Sequence, residues 1–112
     1  MPIMAIYRSA GVDREDFDRY RALAPIEPAP EAGIVHQVAF DDTGIVVVEV
    51  WEDEAALRTY YAERIRPALI QAGLPPVEPQ ILDIHALWVT KDADRRNVAA
   101  PEPKEAAALA SA

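Results

Sequence analysis

The stretch IVHQVAFDDTGIVVVEVW, residues 34–51, decides how this chain is read. Two apolar runs, 34–40 and 45–51, flank the cluster DDTG at 41–44. Apolar runs of strand length around a short Asp/Gly turn are the signature of a β-hairpin. The second run is apolar on both sides. Val46, Val48 and Val50 alternate to one face, and Ile45, Val47, Glu49 and Trp51 to the other. Glu49 breaks the pattern, because a carboxylate in such a strand must reach solvent, a partner or a cavity.

A turn centred on Asp42 and Thr43 pairs Phe40 with Ile45, Val38 with Val47 and His36 with Glu49. A four-residue loop over 41–44 gives the same register, whereas a bulge would reverse the alternation. Directly opposed residues share a face at a Cβ separation of about 4.5–5.5 Å. The sequence therefore predicts a His36–Glu49 pair beside Trp51. A carboxylate against an imidazole fixes its tautomer, and such a dyad can act as a general base with Glu49 orienting His36. A purely structural cross-strand pair at a partly wet strand end would have the same spacing.

Working outward, residues 3–8, IMAIYR, read as a first strand. Asp13 is an N-cap candidate with Glu15 and Asp16 in the first helical turn, where the helix dipole favours anions. Phe17, Tyr20 and Leu23 follow at helical spacing, and Pro25 ends the element. Residues 25–33 are a Pro-rich connection. After the hairpin, Asp53 caps a second helix whose apolar positions are Leu57, Tyr60, Tyr61, Ile65 and Leu69. Pro67 should kink that helix, or restart it after Arg66. Gly73 closes it, and Pro75 and Pro76 prevent continuation. QILDIHALWV, residues 80–89, reads as a fourth strand.

The order βαββαβ is the ferredoxin-like α+β pattern with an antiparallel sheet. Two helices cover one sheet face, yet the third strand is apolar on both. A homodimer pressing its sheets together would cover the other face, which predicts a dimeric α+β barrel. The domain spans residues 1–90. Residues 91–112 form an Ala/Pro/Glu-rich tail without large apolar residues, and KEAAALA at 104–110 is at most a transient helix.

Tyr20, Tyr60 and Tyr61 look from the helices toward the sheet. A buried tyrosine hydroxyl finds a partner, so each either lines a pocket or satisfies a core hydrogen bond. Asp83 and His85 share a face of the predicted fourth strand, which makes His85 an edge-strand, interface or site-lining residue. The second and fourth strands are opposite sheet edges in this order, so His36 and His85 do not combine into a metal site.

Composition narrows the classes. The chain has 112 residues, which suits one domain with one modest core. A net charge of -8 argues against nucleic acid and anionic membrane as partners. No cysteine is present, so disulfides, thiolate metal sites and thiol nucleophiles are excluded. Only four glycines occur, with no Gly-rich phosphate loop, and no Ser/His/Asp arrangement of the hydrolase type is visible. The start, MPIMAIYRSAG, lacks the basic region of a signal peptide, and no apolar run is long enough to span a bilayer. A cytoplasmic protein is the default expectation.

The strand-to-helix segment VVVEVWEDEAALRTYYAERIRPALIQAGL, with Trp51-Glu52-Asp53-Glu54-Ala55 followed by Leu57 and Tyr60-Tyr61, resembles the antibiotic biosynthesis monooxygenase family of the dimeric α+β barrel superfamily. ERIRPALIQAGLPP and VEPQILDIHALWV resemble its small actinobacterial members. The resemblance covers roughly residues 3–89. It implies a cavity in each subunit between sheet and helices, lined by Trp51. Members that oxidise quinol-like aromatics without metal or flavin carry a polar residue two or four positions before the tryptophan. Here those positions are Glu49 and Val47, and the asparagine that some members have is absent from position 47. Haem-degrading relatives use an Asn, Trp and His set that this chain does not reproduce.

These readings converge on a small cofactor-independent enzyme acting on an aromatic or polyketide-like molecule. His36 and Glu49 are the catalytic candidates. Trp51, Tyr20, Tyr60, Tyr61, Val47 and His85 are the substrate-binding candidates. Monooxygenase-type oxidation is the leading expectation. A cyclase or isomerase in the same cavity, and a non-enzymatic ligand-binding or stress-response barrel, are the alternatives.

Overall fold

A computed structural model describes residues 1–25 and 29–88. The tail and the last residue of the predicted fourth strand lie outside the described residues. Seven elements follow in order: β1 (Ile3–Ala10), α1 (Arg14–Leu23), β2 (Gly33–Phe40), β3 (Gly44–Trp51), α2 (Glu54–Tyr60), α3 (Arg66–Gln71) and β4 (Gln80–Asp83). The strands form one antiparallel sheet in the order β2-β3-β1-β4. This is the α+β arrangement expected from sequence, and it is compatible with a ferredoxin-like fold.

The hairpin has the anticipated register, with Phe40 opposite Ile45, Val38 opposite Val47 and His36 opposite Glu49. Asp41 builds the turn. Its Oδ1 accepts from the Thr43 amide at 2.8 Å, the Thr43 hydroxyl at 2.7 Å and the Gly44 amide at 3.0 Å. Gly44 must be glycine for reasons of space, since a Cβ there would run into the Ser9 carbonyl oxygen of the neighbouring strand. A register shift does occur in β2, between Gly33 and Val35. It lies upstream of His36, so the pairing of His36 with Glu49 survives.

The helices form where their caps predict. The Asp13 side chain accepts from the Asp16 amide, and the Asp16 side chain bonds back to the Asp13 amide, a reciprocal capping box. Asp53 caps α2 by accepting from the Ala56 amide at 2.7 Å. Pro67 acts as a restart rather than a simple kink. Residues 61–65 form one wide turn of π-type between α2 and α3, and Pro67 sits in the first turn of α3. Proline has no N–H for the carbonyl four residues back, and its ring crowds that carbonyl, so the preceding turn opens. The wide turn keeps Leu57, Tyr61, Ile65 and Ala68 all buried. Gly73, at φ 76°, ends α3, with the Leu74 amide donating to the Leu69 carbonyl.

The fourth strand is shorter than expected, four residues instead of ten. Its ladder with β1 ends at Ile3 opposite Asp83. The Ile84 amide still donates to the Pro2 carbonyl at 3.1 Å, but Pro2 has no N–H to return the next bond. His85 therefore falls in a bend beyond the strand, and the shared strand face of Asp83 and His85 does not form.

The helices cover one sheet face. The core beneath them is divided. One cluster joins Ile3, Ala5, Tyr7, Trp51, Leu57, Tyr61 and Ile65, and a second joins Val12, Phe17 and Ile45. Val47 packs against both. The opposite sheet face carries Met4, Ile6, Val46, Val48 and Leu82, and no described helix lies over it.

Candidate functional site

Between the two clusters, under α1, the sheet leaves space. A cavity of about 70 Å³ is lined by Tyr7, Phe17, Tyr20, Ile45, Val47 and Leu69, among others, with His36 and Glu49 on its wall. A second cavity of about 230 Å³ runs from the C-terminal end of α1 to the start of β2 and includes Arg21, Trp51 and Tyr60. Tyr20, His36, Glu49 and Ile65 line both, so the dyad stands where the two spaces meet.

Glu49 is only 4% exposed, and both of its oxygens are engaged. Oε1 accepts from the Trp51 indole N–H at 3.1 Å, and Oε2 meets His36 Nδ1 at 2.6 Å. An ionised carboxylate can only accept, which places the proton of the second bond on Nδ1. When the imidazole is neutral, Nε2 then holds the free lone pair. The His36 side chain remains 48% exposed. A buried carboxylate, an imidazole oriented by it and an adjoining cavity are the parts of a general-base site.

The aromatic walls differ in role. Tyr60 packs on Trp51 at a ring-centroid distance of 5.4 Å, tilted by 47°. Tyr20 lines both cavities, packs on Phe17 at 6.1 Å, and has a pKa pushed well up by burial, with smaller contributions from Tyr60 and the Glu49 charge. Burial also raises Tyr60. Tyr61 lines neither cavity. Its hydroxyl donates toward the carbonyls of Pro76 and Val77, both at 2.9 Å, which ties the α3–β4 connection to the core. His85 also lines neither cavity. Of the expected lining residues, the structure thus gathers Trp51, Tyr20, Tyr60 and Val47 around the dyad, and leaves Tyr61 and His85 apart from it.

Sequence reasoning missed two residues. Tyr7 stands opposite Val47 on β1 and lines the smaller cavity. Its parity with Ile3 and Ala5 marked it as inward-facing. Arg21, four residues after Phe17, is buried with its guanidinium 5.7 Å from the Phe17 ring centroid, and lines the larger cavity. Among the described residues no three His, Cys, Asp or Glu side chains gather as a metal-binding group. No helix among them is long and apolar enough to cross a membrane.

Comparison with known proteins found no match, whether to a protein-family model, a curated protein or a solved structure.

Proposed function

We propose that the protein is a small general-base enzyme for hydroxylated or keto aromatic molecules of polyketide type. The observation that carries this reading is the clamp on His36: a nearly fully buried carboxylate 2.6 Å from Nδ1, on a residue that lines both cavities. Nε2 takes a proton from an acidic carbon or a phenol. Trp51 and Tyr60 provide the surface against which a flat ring rests. The resemblance of the Trp51 segment to antibiotic biosynthesis monooxygenases adds the expected outcome of that deprotonation. With an anthrone, the carbanion reacts with dioxygen, the ring CH2 becomes a carbonyl, and the second oxygen atom leaves as water. No resident cofactor is invoked, because the substrate carbanion itself supplies the electrons.

A two-armed assay tests this. Oxygen uptake with anthrone measures the oxidation. Hydrogen–deuterium exchange at the carbon next to the carbonyl of 1-tetralone measures the base alone. Both rates should fall at least about tenfold in His36→Ala. Equal rates in variant and parent would sink the proposed base. Exchange without oxygen uptake would move the reading to a cyclase or isomerase. Binding with neither activity would make the protein a ligand-binding barrel.

The same reading includes a homodimer. The sheet face over which no described helix lies, with Met4, Ile6, Val46, Val48 and Leu82, supplies an apolar surface that a second copy would bury.

A further inference from the structure

We infer that the smaller cavity is a subsite for a short alkyl arm, carried by a fused-ring ketone on the carbon next to its acidic position. This rests on the general-base reading above and specifies the ligand of that site.

The first observation is what the cavity wall offers. Away from the dyad it is built mainly of Val12, Phe17, Ile45, Val47, Leu69 and Leu74. The polar groups of the dyad are committed to their neighbours. Glu49 accepts from the Trp51 indole and meets His36 Nδ1, and the Tyr7 hydroxyl donates to the same carboxylate. Burial first, and the Glu49 charge second, keep that phenol protonated far above its ordinary range. Tyr7, stacked on Tyr61 at 6.4 Å, therefore adds ring surface to the wall and no free donor. A buried water or oxygen substituent needs polar partners, whereas a hydrocarbon needs none.

Size is the second observation. Protein interiors leave few voids larger than a water. One water needs about 10–15 Å³, and this space holds about 70 Å³. Its lining lacks dispersion contacts on the empty side, and an alkyl group would restore them. A cavity of roughly 150 Å³ takes one benzene ring, which is about 25 Å³ for each carbon. On that scale the smaller space takes about three carbons. The larger, at about 230 Å³, takes about nine, close to a fused pair of rings.

The arrangement joins the two. Tyr20, His36, Glu49 and Ile65 line both spaces. A ketone with its rings against Trp51 and its arm in the smaller space has its acidic carbon, adjacent to the root of the arm, at the junction beside His36. Ring and arm together fix which C–H bond lies near the imidazole.

The test titrates 1-tetralone and its 3-methyl, 3-ethyl, 3-propyl and 3-hexyl derivatives by Trp51 fluorescence. A Trp88→Phe background removes the signal of the exposed second tryptophan. Affinity should rise about fourfold for each carbon through propyl, the effect of burying one methylene. The hexyl compound should gain nothing over propyl. A flat series, or one still rising at hexyl, overturns the inference, and this readout needs no cavity variant. Leu74→Phe adds side-chain carbons in about the number the space takes. With the fold checked by far-UV circular dichroism, it should bind 1-tetralone as the parent does and lose the propyl advantage. A folded variant that keeps the advantage also overturns the inference. If His36→Ala exchanges the protons of 3-propyl-1-tetralone as fast as the parent, the general-base reading fails, and the chain-length series still decides the subsite. If none of the ketones binds the parent, both fail.

Discussion

Glu49 holds two N–H donors at once, and substitutions separate its roles. Glu49→Gln keeps an oxygen for the Trp51 indole but removes the charge that orients His36. Proton exchange on 1-tetralone should fall roughly a hundredfold, with the fold intact by circular dichroism. Glu49→Leu removes both acceptors. It leaves the buried indole N–H without its partner and should destabilise the protein by about 1–3 kcal/mol in urea unfolding. The dyad was legible in the sequence because a short hairpin turn fixes the register of its own two strands. Tyr7 was not, because its place opposite Val47 depends on β1 pairing with β3, a contact between distant parts of the chain.

At the scale of elements, the hairpin turn and the wide turn position the site. Replacing Gly44 by alanine pushes a Cβ into the Ser9 carbonyl, so β1 and β3 must separate at that end. The expected result is a loss of more than about 2 kcal/mol, read from urea unfolding, with perturbed backbone amide shifts in residues 9–12 and 41–45. Asp41 gives the same turn a pH dependence. Its carboxyl lies below the usual carboxylate range, chiefly through bonds from the Thr43 hydroxyl and amide. A depressed folded pKa contributes stability above the unfolded value and loses it as pH falls through the folded one. The stability difference between parent and Asp41→Ala should therefore shrink below about pH 4.

Sequence reasoning met its limits at this scale in two ways. Apolar residues after Asp83 favour a strand, but a strand lasts only as long as its partner, and the β1 partner stops at Pro2. Adjacent Tyr60 and Tyr61 point about 100° apart on a helix. Which one reached Trp51 depended on how α2 is rotated against the end of β3. The split of the core into two clusters, and hence the cavity, follows from how α1 stands off the sheet, which periodicity along one segment does not encode.

For the whole molecule, the buried tyrosines set an alkaline limit. Tyr7 and Tyr20 have raised folded-state pKa values, with burial the largest cause in each, while an unfolded chain ionises its tyrosines near pH 10. Their contribution is fully present below that value and is lost as pH rises above it. Urea midpoints should hold to about pH 10 and then fall, and absorbance at 295 nm should show two tyrosines ionising only as the protein unfolds. Tyr7→Phe should flatten that decline. The apolar sheet face without a described helix over it gives a second global expectation. Light scattering should find a dimer for the parent and a monomer for Val48→Lys. A monomeric parent would remove the proposed sheet-to-sheet pairing.

One consequence lies in how the site is inherited. His36, Glu49 and Trp51 all belong to one contiguous hairpin, residues 36–51, whereas much of the remaining cavity wall comes from β1, α1, α2, the turn after it and α3. The reactive group therefore travels as a cassette. Exchanging helical wall residues would reshape which molecules fit without disturbing the imidazole and its anchor. Adding a single residue to the β2 side of the hairpin would have the opposite effect. It would turn His36 to the far side of the sheet and leave a well-formed vessel with nothing to start the reaction.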